Sequence, residues 1–518
     1  MLYPLGRRGI IVLIAAAGIA WLPAHRGFAQ FNFGNVNAPP NGAAGAGGAG
    51  GAAGAAGAGQ AGQQQAPSGS SSTGQTLTIV DTTPQMPSAG VAIDQGVLRT
   101  FMVVDVTGEQ TRNRMQAAKM ALNPQVQQKS KMRKISLQRL EAAVAKQLAN
   151  DRKPTDEMRY LAGLTRVTNV FFYPETGDIV LAGPAEGWFV DIAGRVVGLQ
   201  TGRAIVELQD LVTALRAYPA GQGAGPNLIG CSIDATQEGL RAMQEFVNAL
   251  PKVADISMAT PAYAEYIVNG LRTNLGLQKV RINGVPPTTH FAQVMVEADY
   301  RMKLIGIGLE KPPVKIASYV DLASPGAPNA MQRWWFVPDY KCVKVAEDEL
   351  AMEIVGDAVK LMTADEMVAA DGSRHAANTK GDGNRASMAF VHGFTKEYPR
   401  LAARVHVYAQ LRNLIDLAVV GAFMQQHGYY DRADWRMPIF GDETKYAVQT
   451  YDTPVQVETA VNYRFKGGRL MTPVGGGVTL HPEQALSEEN RLKDDGKPAK
   501  ARAAIDLSKL AEGQWWWD

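Results

Sequence analysis

From Asn41 to Gly62 the chain is almost pure glycine and alanine, followed by Gln63, Gln64, Gln65 and a serine-rich stretch at 68–72. A segment with so little apolar area cannot bury enough surface to offset the entropy of ordering it. Glycine does not recur at every third position, which excludes a collagen helix, so residues 30–88 read as a disordered, flexible tether. A coil of roughly 45 residues has a root-mean-square span of about 35–40 Å. Any hydrophobic core is therefore confined to the residues beyond this tether, and order is expected from about Ala89.

Upstream of the tether, Arg7 and Arg8 precede an apolar run from Gly9 to Leu22, Pro23 ends it, and Gly27 and Ala29 place small residues before Gln30. This is the layout of a secretory signal peptide over residues 1–29. The apolar run is shorter than the roughly 20 residues that cross a bilayer. Removing it takes away Arg7, Arg8 and Arg26 and leaves 49 basic residues against 49 acidic ones. A neutral mature chain, with no further long apolar run, points to a soluble extracytoplasmic protein, periplasmic or secreted, with no global charge to select a partner.

The folded part, expected over 89–480, mixes two periodicities. A hairpin is expected within 91–106 and helices at 111–122, after Ser136, after Thr155, at 209–217 and at 236–250. Strands are expected at 167–173, 178–182, 188–191 and 195–199 as an antiparallel meander, then at 228–233, 280–283, 334–337, 342–345 and 351–360. A helix from Thr289 to Gly306, one long helix over about 397–426, a β segment over 455–480 and a charged tail over 481–518 complete the order. The class is α+β, with mixed sheets, the meander and some βαβ units. Two packed domains with a boundary near 270–330 are compatible with this pattern.

The strings RKISLQRLEAAV (133–144), EMRYLAGLTRV (157–167), YPETGDIVLAGPAEGW (173–188), CSIDAT (231–236), ADYRMK (298–303), RWWFVP (333–338) and QLRNLIDLAVV (410–420) run in this order along the chain. Together they resemble a family of exported planctomycete proteins known as domain of unknown function 1598, over roughly residues 90–480. The resemblance brings no activity, cofactor or catalytic residue with it.

Local motifs for chemistry are weak. Gly221, Gly223 and Gly225 follow a helix rather than a strand, the reverse of a dinucleotide fingerprint. Ser232 in Gly-Cys-Ser-Ile-Asp lacks the second glycine of a nucleophile elbow and reads as a ladder residue. No metalloprotease, Walker A or calcium-loop spacing occurs, and no cofactor is expected. Cys231 and Cys342 are the only cysteines. They either pair in an oxidising compartment or sit as small buried hydrophobes.

On the late helix, His406, Gln410, Arg412, Asn413 and Asp416 interrupt an apolar stripe and read as a buried polar network, with Arg412 pairing Asp416 at i+4. Asp299 and Lys303 read as a solvated pair of the same spacing. Residues 110–153 carry 11 Lys or Arg against Glu141 and Asp151. Within them Arg112, Arg114, Lys119, Lys129, Lys131, Arg133 and Lys134 are candidate contacts to a polyanion. The expected function is a non-catalytic binding or scaffold role in a secreted or cell-envelope protein, whose partner is an envelope or extracellular component such as a polyanion. The alternative is a secreted hydrolase whose Asp, Glu and His residues come together from distant segments.

Overall fold

The computed structural model describes residues 88–221, 228–250, 260–323, 331–368, 374–376, 382–462 and 475–518. The expected signal peptide, the expected tether up to residue 87, Gly223, Gly225 and most of the 371–385 loop lie outside the described residues. All the described residues belong to one compact unit.

Helices begin where a hydroxyl can accept one of the orphan N–H groups of the first turn. Ser136 Oγ accepts from Arg139 N at 3.4 Å, Thr155 Oγ1 from Met158 N at 3.4 Å and Thr289 Oγ1 from Ala292 N at 3.2 Å. These open the helices Leu137–Leu148, Asp156–Arg159 and His290–Gly306.

The strands make an α+β fold from two large sheets and one small one. The nine-stranded sheet runs, edge to edge, Ser88–Asp94, Val97–Val103, Gln456–Val457, Gln278–Asn283, Ile229–Asp234, Gly476–Leu480, Met331–Pro338, Val359–Val368, Arg374–Ala376. Two of its pairings are parallel, Met331–Pro338 with Gly476–Leu480 and Val97–Val103 with Gln456–Val457, and both join strands far apart in the chain. The six-stranded sheet runs Val343–Val345, Ala351–Ile354, Asn169–Tyr173, Asp178–Ala185, Ser130–Ser136, Trp516–Trp517. The expected meander is thus divided: its first two strands join this sheet, while Trp188–Val190 and Val196–Gly198 form a separate hairpin.

Three expectations are corrected. The strand expected at 351–360 is two strands, broken at Gly356 with φ 72°, and the two halves enter different sheets. The single helix expected at 397–426 is two, Asp382–Ala402 and His406–Gln426, separated by an extended Val405. No glycine or proline marks that break; each helix instead packs on its own partners, the first on strand Val359–Val368, the second on helices Leu208–Ala217 and His290–Gly306. The expected tail folds back, with Trp516–Trp517 pairing Lys134 and Ile135.

In helix His290–Gly306 every residue from Phe291 to Gly306 except Gln293 is buried. It packs under strands Ile229–Asp234 and Gly476–Leu480. The His406–Gln426 helix is long and apolar enough to cross a membrane by composition, yet it lies wholly inside the fold. Through Phe423 it meets Tyr429, which in turn packs on Phe172 of the six-stranded sheet, with ring centroids 5.3 and 5.0 Å apart. One continuous core therefore reaches both large sheets.

Strand alternation sends Trp334 inward and Trp335 outward. Trp334 is fully buried, donates to Ser387 Oγ at 2.8 Å and meets Phe390 at 4.7 Å. Gly306 sits against its ring with no room for a Cβ. Gly306→Ala is expected to destabilise the protein by about 1–3 kcal/mol through overpacking, read as a lower denaturation midpoint.

Candidate functional site

The hairpin Trp188–Val190 and Val196–Gly198 turns on an Asx geometry, in which Asp191 Oδ1 accepts from Ala193 N and Arg195 N, both at 2.8 Å. That turn aims Arg195 into the core. Its Nη2 donates to both carboxylate oxygens of Glu297, at 2.7 and 2.6 Å, and its Nη1 donates to Gln410 Oε1 at 2.6 Å. Glu297 is 1% exposed, so the bidentate guanidinium is what makes its burial tolerable. One turn on, Arg301 reaches Glu297 at 3.5 Å and Glu310 at 2.7 Å.

Gln410 then leads to a histidine. With its oxygen committed to Arg195, its Nε2 stands 3.4 Å from His290 Nε2. On the other side His290 Nδ1 lies 2.9 and 3.1 Å from the carboxylate oxygens of Asp210, in the first turn of helix Leu208–Ala217. Burial works against the imidazolium, but Asp210 and Glu207 outweigh it and raise the His290 pKa to about 9. The Gln410 contact is too long to reverse that balance. Burial likewise raises the Glu207 carboxyl. Four segments distant in sequence thus supply one line of polar groups: Arg195, Glu297 and Gln410, His290, and Asp210 with Glu207.

His406, expected in the same network, takes a different partner. Its Nε2 donates to Gly202 O at 2.9 Å, and burial lowers its pKa, which keeps it neutral. Its Nδ1 faces Asp191 Oδ2 at 3.8 Å, and neither atom has a hydrogen-bond partner.

The expected Arg412–Asp416 pair is not made. Asp416, at 0% exposure, is held by Arg166, with Nε to Oδ2 at 2.6 Å and Nη2 to Oδ1 at 3.0 Å. Arg412 instead donates to Asp357 at 3.3 Å. Arg166 precedes strand Asn169–Tyr173 and also donates to Gly356 O at 2.5 Å. Arg166 arrives from another element and offers both carboxylate oxygens of Asp416 a planar fork. Asn413 is buried with neither side-chain atom bonded. The five polar residues of the stripe are therefore all buried, but they belong to separate clusters.

Cys231 and Cys342 are both free and buried, the first in the nine-stranded sheet and the second beside the six-stranded one, so no bridge forms. Burial, before any charge effect, pushes both thiols up, Cys342 to about 12. Asp299 and Lys303 do pair, at 3.0 Å, but inside the protein rather than in solvent, because Gly476 opposite leaves room for them. Of the basic segment, Arg112, Arg114, Lys119, Lys129 and Lys131 are exposed, and Arg114 donates to Asp191 O at 3.2 Å. Lys134 is half-buried. Arg133 is 0% exposed and bound on every side, which removes it as a polyanion contact.

Among the described residues no group of three or more His, Cys, Asp or Glu is arranged to hold a metal. A cleft of about 280 Å³ opens on the outer face of the nine-stranded sheet, over Gly230, Ser232, Gly477, Thr479, Arg333 and Trp335. Strand register puts exposed Lys279, Arg281 and Asn283 on this same face, since Arg281 lies opposite Ser232 and Asn283 opposite Gly230. Arg333 is paired with Asp234 at 2.6 Å.

The helix beneath this face and part of the face itself, Ser232 with Lys279, Arg281 and Asn283, fall in one matched segment. Residues 231–319 match the family model DUF1598, a protein of unknown function. No curated protein and no solved structure matches the chain. The DUF1598 segment holds CSIDAT and ADYRMK and spans Glu297, Asp299, Arg301 and Lys303; the other strings of the resemblance lie outside it. Arg195, Asp210, Arg166 and Asp357 were not singled out from sequence. The one available signal was the placing of Glu297, Asp299, Arg301 and Lys303 within a helix that has apolar residues on every side.

The raised His290 pKa gives a pH dependence with a defined sign. A group whose pKa rises on folding contributes stability that is fully present below about 6.5 and is lost as pH climbs through about 9. The loss amounts to about 3 kcal/mol, and His290→Gln should remove this dependence from denaturation curves taken between pH 6 and 10. For the second cluster, Asp416→Ala removes the carboxylate from the partly buried Arg166 and is expected to cost about 3 kcal/mol. Arg412→Met, whose partner Asp357 reaches solvent, should cost clearly less in the same urea titration.

Proposed function

We propose that this chain is an extracytoplasmic, non-catalytic binding protein that takes an acidic envelope polymer on the outer face of its nine-stranded sheet. The observation that carries the reading is the division of labour between the interior and that face. The ionisable residues collected from distant segments are buried and paired with one another, while the cleft that reaches solvent offers glycine backbone, hydroxyls and Trp335, with the cations Lys279 and Arg281 beside it on the same sheet face. Polar groups around an aromatic ring suit a sugar ring, and surplus positive charge suits one that bears carboxylate or sulfate. The signal-like residues 1–29 and the tether give such a protein a place outside the cytoplasm and reach from its point of attachment.

The hydrolase alternative would rest on His290 and Asp210. Asp210 takes Nδ1 of that histidine, and a pKa of about 9 keeps the ring protonated and without a free lone pair for general-base work near neutrality.

Retention on immobilised heparin, a sulfated polysaccharide, tests the proposal. The protein should be retained at low salt and released steeply as ionic strength rises to about 0.15 M. Lys279→Glu with Arg281→Glu should abolish retention, while reversal of Arg112, Lys119, Lys129 and Lys131 should leave most of it. Equal retention of both variants and the unaltered chain rejects the sheet face as the binding surface.

A further inference from the structure

Residues 515–518 occupy a groove that is built around one buried guanidinium. Arg133 donates through Nε to Asp518 Oδ1 at 2.8 Å and through Nη2 to Asp518 Oδ2 at 2.9 Å. Its remaining donors go to the carbonyls of Val126, Ala162, Gln125 and Gln128, so the fork is held rigidly in place whether or not a carboxylate is present. Trp516 lies over the guanidinium, 4.8 Å from its centre. Backbone pairing continues the sheet: Ser136 N donates to Trp515 O at 3.0 Å, and Trp516 and Trp517 lie opposite Ile135 and Lys134. The two side chains alternate, Trp516 packing with Val126, Tyr160 and Trp188, and Trp517 with the cluster of Phe171 and Leu507. These are the parts of a strand-addition site, with main-chain bonds for affinity and alternate pockets plus an acid-reading arginine for specificity.

The segment that fills the site is joined to the preceding residues by an exposed hinge. Ala511, Glu512 and Gly513 are exposed, Gly513 has φ 76°, and a cleft of about 680 Å³ opens beside them, bordered by Gln125 and Gln128. Asp518 itself is 40% exposed. Release of four residues leaves Arg133 as an unpaired buried charge, which favours prompt refilling by any chain carrying the same sequence.

We infer that the Arg133 groove accepts the 515–518 strand of a second copy, so that two chains exchange Trp516, Trp517 and Asp518 across a two-fold pair of six-stranded sheets. Each copy then completes the other's site, as in an isologous swapped dimer.

The test uses the full chain. Glu512→Cys molecules labelled with donor or acceptor dye are mixed at rising concentration, and mass is followed by light scattering. Energy transfer and a dimeric mass should increase together, and deletion of Glu512 and Gly513, which shortens the hinge, should raise the dimer fraction at least several-fold. A free peptide of sequence Gln-Trp-Trp-Trp-Asp should suppress the dimer, and its Asp→Asn form should do so at least ten times less well. A strictly monomeric mass for both chains overturns the inference, and so does peptide binding without any exchange between chains. If the hinge deletion fails to fold, the peptide competition on the unaltered chain decides alone: no change in energy transfer with saturating peptide rejects the exchange.

Discussion

An ionised carboxylate with no access to water must find a counter-charge, and Asp416 in the central helix sets that demand at the middle of this fold. Arg166 meets it from the loop before strand Asn169–Tyr173 and at the same time holds the carbonyl of Gly356, where the chain leaves one large sheet for the other. One guanidinium thereby ties together the central helix, the six-stranded sheet and the crossover between sheets. Arg412 supports the same crossover through Asp357. Hydrophobic contact supplies most of the drive to collapse, but it is non-directional. These pairs are directional, and they specify which helix faces which turn.

The second buried network acts the same way on other elements. Arg195 joins a hairpin to helix His290–Gly306 and to helix His406–Gln426, and His290 then joins both to helix Leu208–Ala217. A line of ionisable groups assembled from distant segments resembles the beginnings of an active site. Here its members face each other, and their pairing fixes the geometry of the elements that carry them. The two partner surfaces proposed above lie elsewhere: the sheet face with Trp335, and the edge where Arg133 holds Asp518.

Local features were legible wherever short-range rules decide. Ser136, Thr155 and Thr289 announced their helices because a hydroxyl three residues before an amide can cap it in almost any context. The alternation through Arg333, Trp334 and Trp335 marked a strand with one buried face. The long helix was read as unbroken because nothing local forbids helical Arg404 and Val405; the break exists because two helices have different surfaces to cover. Arg133 was read as one cation among many in a basic run. Its burial depends on residues 515–518 folding back, and no spacing rule connects positions 385 residues apart.

By itself the sequence determined the α+β class, the starts of the helices capped by Ser136, Thr155 and Thr289, and the fact that His406, Gln410, Arg412, Asn413 and Asp416 would be buried. These follow from periodicity, capping and composition, which act over a few residues. Only the tertiary structure decided who pairs with whom: Asp416 with Arg166, Arg412 with Asp357, Gln410 with Arg195, Arg133 with Asp518, and neither cysteine with the other. A charge states that it needs a partner, but Coulomb attraction and hydrogen bonding act through space, and which cation reaches a buried anion is settled by the packing of whole elements.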